Sequence, residues 1–254
     1  MKVLEVEDIT KIYSSKGISN STRALNGVSF SIEKGEFVGV MGPSGSGKTS
    51  LLNILSGINK PTSGRTEIVG KNINTMSEDD LSLFRRQKLG FVFQEFNLLD
   101  SLTLKENIML PMILDKKSNE YMNNKADEIM SVFDIKDIGN KYPYEISGGQ
   151  QQRVAVSRAV VNEPVIVFAD EPTGNLDSKS SNAVMKLFTK MNRELESTIL
   201  MVTHDAFAAS FCKKIIFIKD GSISMEIISS GNRKEFFDKI LNCLAVLGGE
   251  DNDL

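Results

Sequence analysis

The chain has 254 residues, 41% of them hydrophobic, enough to bury a full core as one large domain or as one domain with a subdomain. Its net charge of −3 leaves no global basic footprint for nucleic acid. Cys212 and Cys243 lie far apart and form no CxxC pair, no apolar run approaches the ~20 residues that span a bilayer, and the N-terminus lacks a signal pattern, so a reducing cytoplasm is expected and any membrane role must come through a partner.

Residues 3–9 alternate as a half-buried strand, Lys11-Ile-Tyr13 follows, and the polar stretch Ser14–Thr22 reads as a surface loop. Val28–Ile32 alternates again, and Glu33-Lys-Gly-Glu36 turns into the apolar run Phe37–Met41. Two nearby strands with an exposed face predict an antiparallel sheet laid against the core that follows. That core opens on Gly42-Pro43-Ser44-Gly45-Ser46-Gly47-Lys48-Thr49, which leads into Ser50–Leu55. Strand, glycine-rich loop and helix form the setting in which successive N–H groups curl inward on phosphate oxygens. The positive end of the helix adds to that field. The stretch from Gly42 to Ser50 is therefore the predicted binding site for a nucleoside triphosphate, with Lys48 reaching the β- and γ-phosphates and the Thr49 hydroxyl taking one Mg²⁺ position.

Beyond it, Asn59–Gly64 reads as a turn, and Ser77 caps a charged helix to about Lys88, whose Arg85-Arg86-Gln-Lys88 cluster reads as a solvated face. Leu89–Phe93 is an apolar strand ending at Gln94. Thr103 with Glu106 predicts a capping box before a helix over 104–114, and the polar residues 116–141 read as a small helical subdomain. At Ser147-Gly148-Gly149-Gln150 a second turn opens a helix, which alone is only an ordinary helix start. The strand Val165–Ala169 then ends in Asp170-Glu171. In an open α/β sheet ligands sit beyond the carboxyl ends of the strands, which suits Asp170 to hold Mg²⁺ through water and Glu171 to polarise the attacking water. Pro172–Asp177 is a turn and Ser178–Leu195 a helix. Thr198–Val202 is the next buried strand, and it delivers His204, the sole histidine, where it can reach a γ-phosphate. Ile215–Ile218 and Ile223 onward flank Asp220-Gly221 as a hairpin. The tail repeats Phe236, Phe237, Ile240, Leu241 and Leu244 at helical spacing, a face that either packs on its own domain or meets a partner, with Gly248-Gly249 ending the helix.

In that order the P-loop, Gln94, Ser-Gly-Gly-Gln, Asp-Glu and His resemble the ATPase subunit of an ABC transporter, over nearly the whole chain. The resemblance implies an α/β P-loop NTPase with a mostly parallel core sheet, an antiparallel β-subdomain and a helical signature subdomain. It reads residues 1–254 as a single domain, with about 95–160 as the helical subdomain and 225–254 as a C-terminal helical extension. It implies that Tyr13 stacks on adenine. Gln94 senses metal and water, and Ser147 to Gln150 together with Asp177 work on ATP held by the opposite protomer, so that ATP joins a homodimer. Ile146 stands where the family usually has leucine, and the long Ser14–Thr22 loop bears on where Tyr13 sits. Phe91–Leu99, Asp170–Asp177 and Met201–Asp205 resemble the branch serving macrolide exporters, lipoprotein extraction and cell-division complexes. The tail, Arg233–Leu241 then Ala245–Gly249, is similar to bacitracin- and lantibiotic-resistance ATPases of Gram-positive bacteria. The resemblance thus implies an integral membrane permease as partner, a sensor histidine kinase reached through it, and a place on the cytoplasmic face of the cell membrane.

Rival classes fit less well. Chromosome-type ABC ATPases need a long coiled coil between P-loop and signature, where this chain has about 100 residues. Translation-type members carry two cassettes, a kinase or GTPase has no use for Ser147–Gln150, and no nucleic-acid partner is expected. The ATPase of a solute importer, of lipoprotein release or of cell division stays open as the nearer alternative.

Overall fold

The computed structural model describes residues 1–14 and 21–248. In chain order these form β1 (Lys2–Ser14), β2 (Ser21–Glu33), β3 (Phe37–Met41), α1 (Lys48–Leu55), β4 (Ser63–Ile68), β5 (Lys71–Asn72) and α2 (Glu78–Lys88). Then come β6 (Leu89–Val92), α3 (Leu104–Leu114), α4 (Asn119–Val132), α5 (Gly148–Val160), β7 (Ile166–Asp170) and α6 (Ser178–Glu194). The chain continues with β8 (Ile199–Val202), α7 (Ala206–Ala209), β9 (Lys214–Lys219), β10 (Ser222–Ile228) and α8 (Arg233–Gly248). They divide into two compact units, Met1–Leu81 with Thr198–Leu254, and Ser82–Ser197.

The first unit holds the expected antiparallel sheet, in the order β2-β1-β4-β5. Its strands outrun the alternation that announced them. Tyr13 pairs with Thr22 and Ser14 with Ser21, so both ends of the expected Ser14–Thr22 loop belong to the hairpin, and 15–20 lie outside the described residues. A left-handed Asp8 (φ 49) sits where the register of β1 slips between Val6 and Ile9, as a bulge does. β4 and β5 were not legible: Ser63–Ile68 is short and mostly polar, and it is held by pairing such as Leu4 opposite Ile68, with Arg65 donating to Glu7 across the strands at 2.8 Å. Beside this sheet β3 is buried at every position and pairs in parallel with both β8 and β9, the pattern of a strand covered on two faces. β9 returns antiparallel through Asp220-Gly221, both left-handed (φ 50 and 76), as a two-residue hairpin turn of the primed kind requires.

In the second unit β6 and β7 pair in parallel, and α5 packs against α3, α6 and β6. The capping box on α3 is formed: the Thr103 N–H donates to the Glu106 carboxylate at 2.8 Å and the Glu106 N–H to the Thr103 hydroxyl at 3.3 Å. One charged residue departs from expectation. Arg86 is not simply solvated, because its guanidinium pairs at 2.8 Å with Asp115, a nearly buried carboxylate at the end of α3 that needs a cation.

The tail forms its helix, and the expected face is buried in part, with Leu241 left out of it. Phe236, Ile240 and Leu247 are buried, while Leu241 is 44% and Val246 68% exposed. The seam therefore steps four residues from Phe236 to Ile240 and seven more to Leu247, turned away from Leu241. At its start α8 is seated on α7, the Arg233 guanidinium lying 4.4 Å from the Phe211 ring centroid and 5.6 Å from that of Phe207. Ile240→Ala is accordingly expected to lower stability by about 2–5 kcal/mol in urea denaturation. Leu241→Ala should change it by only about 0.5 kcal/mol; equal losses would place the seam elsewhere.

Candidate functional site

β3 delivers the chain into Gly42–Lys48, and two glycines there are dictated by close approach. A Cβ on Gly42 would lie 2.0 Å from the Ile218 carbonyl oxygen, and one on Gly47 (φ 100) 2.3 Å from that of Ala24. The hairpin turn between β9 and β10 braces the loop from behind: the Gly221 N–H donates to the Ser46 carbonyl at 3.2 Å, and the Asn26 N–H donates to the Gly221 carbonyl at 2.8 Å. Lys48 lays its ammonium across the loop, donating to the carbonyls of Gly42 and Pro43, each at 2.8 Å. The Ser46 hydroxyl is buried without a hydrogen-bond partner, and α1 begins at Gly47 with no side-chain cap and no acid in its first turn. A buried donor and an uncapped helix start favour an anion.

Tyr13 comes to the same place. Its hydroxyl donates to Ser50 in the first turn of α1 at 3.3 Å, the Lys11 ammonium stands 5.0 Å from its ring centroid, and the ring is 42% exposed. Because β3 and β8 run parallel with Val40 opposite Val202, the P-loop and His204 leave one edge of the sheet side by side. His204 is exposed, and its flanks are fixed: the Thr203 N–H donates to the Val40 carbonyl at 3.1 Å, and Asp205 caps α7 by accepting from the Phe207 N–H at 2.8 Å.

The second unit assembles the remaining candidates. Val92 of β6 stands opposite Ala169 of β7, so Gln94 and Asp170-Glu171 issue from the same end of that strand pair. Glu171 itself is left-handed (φ 45), an uncommon state for a residue with a Cβ, and the Gly174 N–H donates to its carbonyl at 3.0 Å. Gln94 and Asn175 clasp each other: the Gln94 amide donates to the Asn175 side-chain oxygen at 3.0 Å, and the Asn175 amide donates back to the Gln94 carbonyl at 3.2 Å. Ser147 caps α5 in a capping box with Gln150, placing Gly148 and Gly149 in the first turn. Asp177 caps α6, and the Ser180 hydroxyl at 2.7 Å, with the N–H groups of Ser180 and Lys179, holds its carboxyl below the usual range.

Three participants escaped the sequence reading. Asn175 gave no signal beyond a turn. Gln152 did give one, a polar residue on the helical face that also carries Ala155, Val156 and Ala159. Arg158, held below its ordinary pKa by burial, donates at 2.8 Å to the carbonyl of Phe96, a left-handed residue just beyond Gln94. Both cysteines are free, and among the described residues no three His, Cys, Asp or Glu side chains gather as a metal cage.

Residues 25–174 match the family model described as ABC transporter. The chain is 52% identical over 250 residues to the uncharacterized ABC transporter ATP-binding protein YvcR of Bacillus subtilis, covering 98% of this chain and 96% of that protein. It is 46% identical over 254 residues, the whole of both chains, to the bacitracin export ATP-binding protein BceA of Halalkalibacterium halodurans. Among solved structures, the dimeric post-hydrolysis state of the ATP-binding cassette MJ0796 of Methanocaldococcus jannaschii, bound to ADP and Pi, superposes with a TM-score of 0.81 at 41% identity, covering 90% of this chain and all of that one.

Removing the Lys48 cation tests the loop directly. A hydrogen bond to a charged group is worth about 1.5–3 kcal/mol, so Lys48→Ala should weaken ATP binding by roughly 10- to 150-fold in titration calorimetry. Unchanged affinity would remove Lys48 from the site.

Proposed function

The chain belongs to the ABC transporter family of ATP-binding proteins, and on that premise we propose that it powers an integral membrane permease in resistance to, or sensing of, peptide antibiotics of the bacitracin and lantibiotic type. It is the ATP-binding and ATP-hydrolysing subunit of a transporter, with the α/β P-loop NTPase fold of that family. The observation that carries the finer reading is the 46% identity to a bacitracin export ATPase over the full length of both chains. No described helix is long and apolar enough to cross a membrane, so the reading puts the chain at the cytoplasmic face, held there by its permease. A sensor histidine kinase reached through that permease belongs to the same proposal.

In this reading residues 1–254 work as one domain, with 95–160 as the helical subdomain and 225–254 as the extension. The loop N–H groups from Gly42 to Ser50 surround the phosphates and Lys48 exchanges its two carbonyls for β/γ oxygens. Tyr13 takes the adenine on its exposed ring. The donor types suit Mg²⁺, which keeps several waters and shares substrate phosphates: the Thr49 hydroxyl, the Gln94 amide and, through water, the Asp170 carboxylate would hold it. When bound, Mg²⁺ neutralises charge on the β/γ-phosphates. Glu171 polarises the attacking water, and its constrained backbone supports that role because a base must be aimed before it is useful. His204 supports the γ-phosphate. Ser147 to Gln150 serve ATP on the opposite protomer, completing with their donors a phosphate site that one P-loop leaves open, and Asp177 works across the same interface.

Glu171→Gln keeps the shape and removes the base, so turnover should fall ~10²–10⁴-fold while ATP is still bound. An ATP-dependent dimer should then accumulate on gel filtration, and Ser147→Arg in that background should abolish the dimer while monomers still bind ATP. Wild-type turnover in Glu171→Gln would contradict the assignment. The substrate class is tested separately, with the cognate permease in a deletion strain. Restoration of bacitracin-type resistance by the wild-type chain but not by Glu171→Gln supports it, and no restoration by either rejects it.

A further inference from the structure

We propose that Gln152 is a positioning residue for hydrolysis, tying the signature helix to the two loops that carry Gln94 and Glu171. Its side chain is fully buried in the second turn of α5, and its amide nitrogen donates to the Pro172 carbonyl at 2.7 Å and to the Phe93 carbonyl at 3.3 Å. Pro172 directly follows Glu171, and Phe93 directly precedes Gln94. Since both neighbours are carbonyls, only the NH₂ end of the amide can face them. That choice leaves the amide oxygen buried and without a hydrogen-bond partner. An unsatisfied buried acceptor is destabilising, and a methionine of similar volume would avoid it. The polar head is therefore explained by what it holds, not by packing.

What it holds is the aim of Glu171. The Pro172 ring fixes φ, the Gly174 N–H fixes the Glu171 carbonyl, and Gln152 fixes the Pro172 carbonyl, so the peptide planes after the left-handed Glu171 are pinned in succession. Strained backbone of this kind persists only where its surroundings over-determine it. Ser147, which caps the same helix, moves with Gln152 as part of one rigid element. Engagement of the signature is thereby coupled to the direction of the Glu171 carboxylate. This rests on the reading above, in which Glu171 polarises water and Ser147 to Gln150 meet nucleotide.

The test uses the full chain carrying Gln152→Met or Gln152→Glu, each in wild-type and Glu171→Gln backgrounds, with steady-state and single-turnover ATPase assays. Both substitutions keep the volume; Met removes both donated bonds, and Glu keeps at most one, through a protonated carboxyl. Misaiming a group outside the reacting atoms can cost up to ~10²-fold, so kcat should fall between about 10- and 100-fold while KM for ATP stays within about 2-fold. If Gln152 acts through Glu171, the same substitutions in the Glu171→Gln background should cost nothing further, and the ATP-dependent dimer should persist. Folded variants with wild-type kcat, a loss that multiplies with that of Glu171→Gln, or failure of both variants to fold each overturn the proposal. Equal turnover by the wild-type chain and Glu171→Gln would instead reject the underlying reading of Glu171, whatever Gln152 does.

Discussion

A loop that gives its N–H groups to phosphate has few left to hold itself in shape, and Gly42–Thr49, with one Ser46 N–H bond to the Pro43 carbonyl inside it, is braced from outside as well. The brace is the hairpin turn at Asp220-Gly221, whose Gly221 N–H meets the Ser46 carbonyl, while its own carbonyl is tied to Asn26 of β2. The closeness of these backbones is what makes Gly42 and Gly47 obligatory, since carbonyl oxygens of Ile218 and Ala24 occupy the space a Cβ would need. The same parallel pairing that places β3 between β8 and β9 sets His204 at the loop's edge of the sheet. The shape of this loop thus depends on strands that are far apart in sequence.

The second unit solves a related problem with side chains. Its candidate functional residues sit in short loops with left-handed positions at Phe96, Asn97 and Glu171, and backbone of that kind persists where its surroundings over-determine it. α5 supplies the support. Gln152 and Arg158 donate into the carbonyls of Phe93, Phe96 and Pro172, and the Gln94–Asn175 clasp ties the first of these loops to the turn before Asp177. A helix that starts with the signature serine is therefore also the frame for the loops bearing Gln94 and Glu171.

Much of this was legible because it depends on local chemistry. The glycine spacing before Lys48, the apolar run into Asp170-Glu171, the Thr103 and Ser147 caps and the Asp220-Gly221 turn all announce themselves within a few residues. What was not legible depends on distant partners. β4 is a strand because β1 pairs with it, and its own polar residues gave no alternation to read. Arg86 looked solvated because Asp115, its partner, lies far along the chain. α8 packs against α7 and buries Phe236 and Ile240 but not Leu241, so the apolar count favoured Leu241 wrongly. Asn175 and Arg158 act through carbonyls of other loops, which no pattern in one segment can reveal, and Gln152, though visible as a polar residue on an apolar helical face, has partners that are equally distant.

Amide hydrogen exchange with and without ATP tests most directly whether the phosphate loop is preorganised from outside. The Gly221 and Asn26 amides, whose bonds form the brace, should be protected before nucleotide is added and change little afterwards, whereas the loop amides of Gly45 and of Gly47 to Thr49 should gain protection only with ATP. Brace amides that exchange as fast as the loop in the nucleotide-free chain, and become protected together with it when ATP binds, would contradict preorganisation from outside.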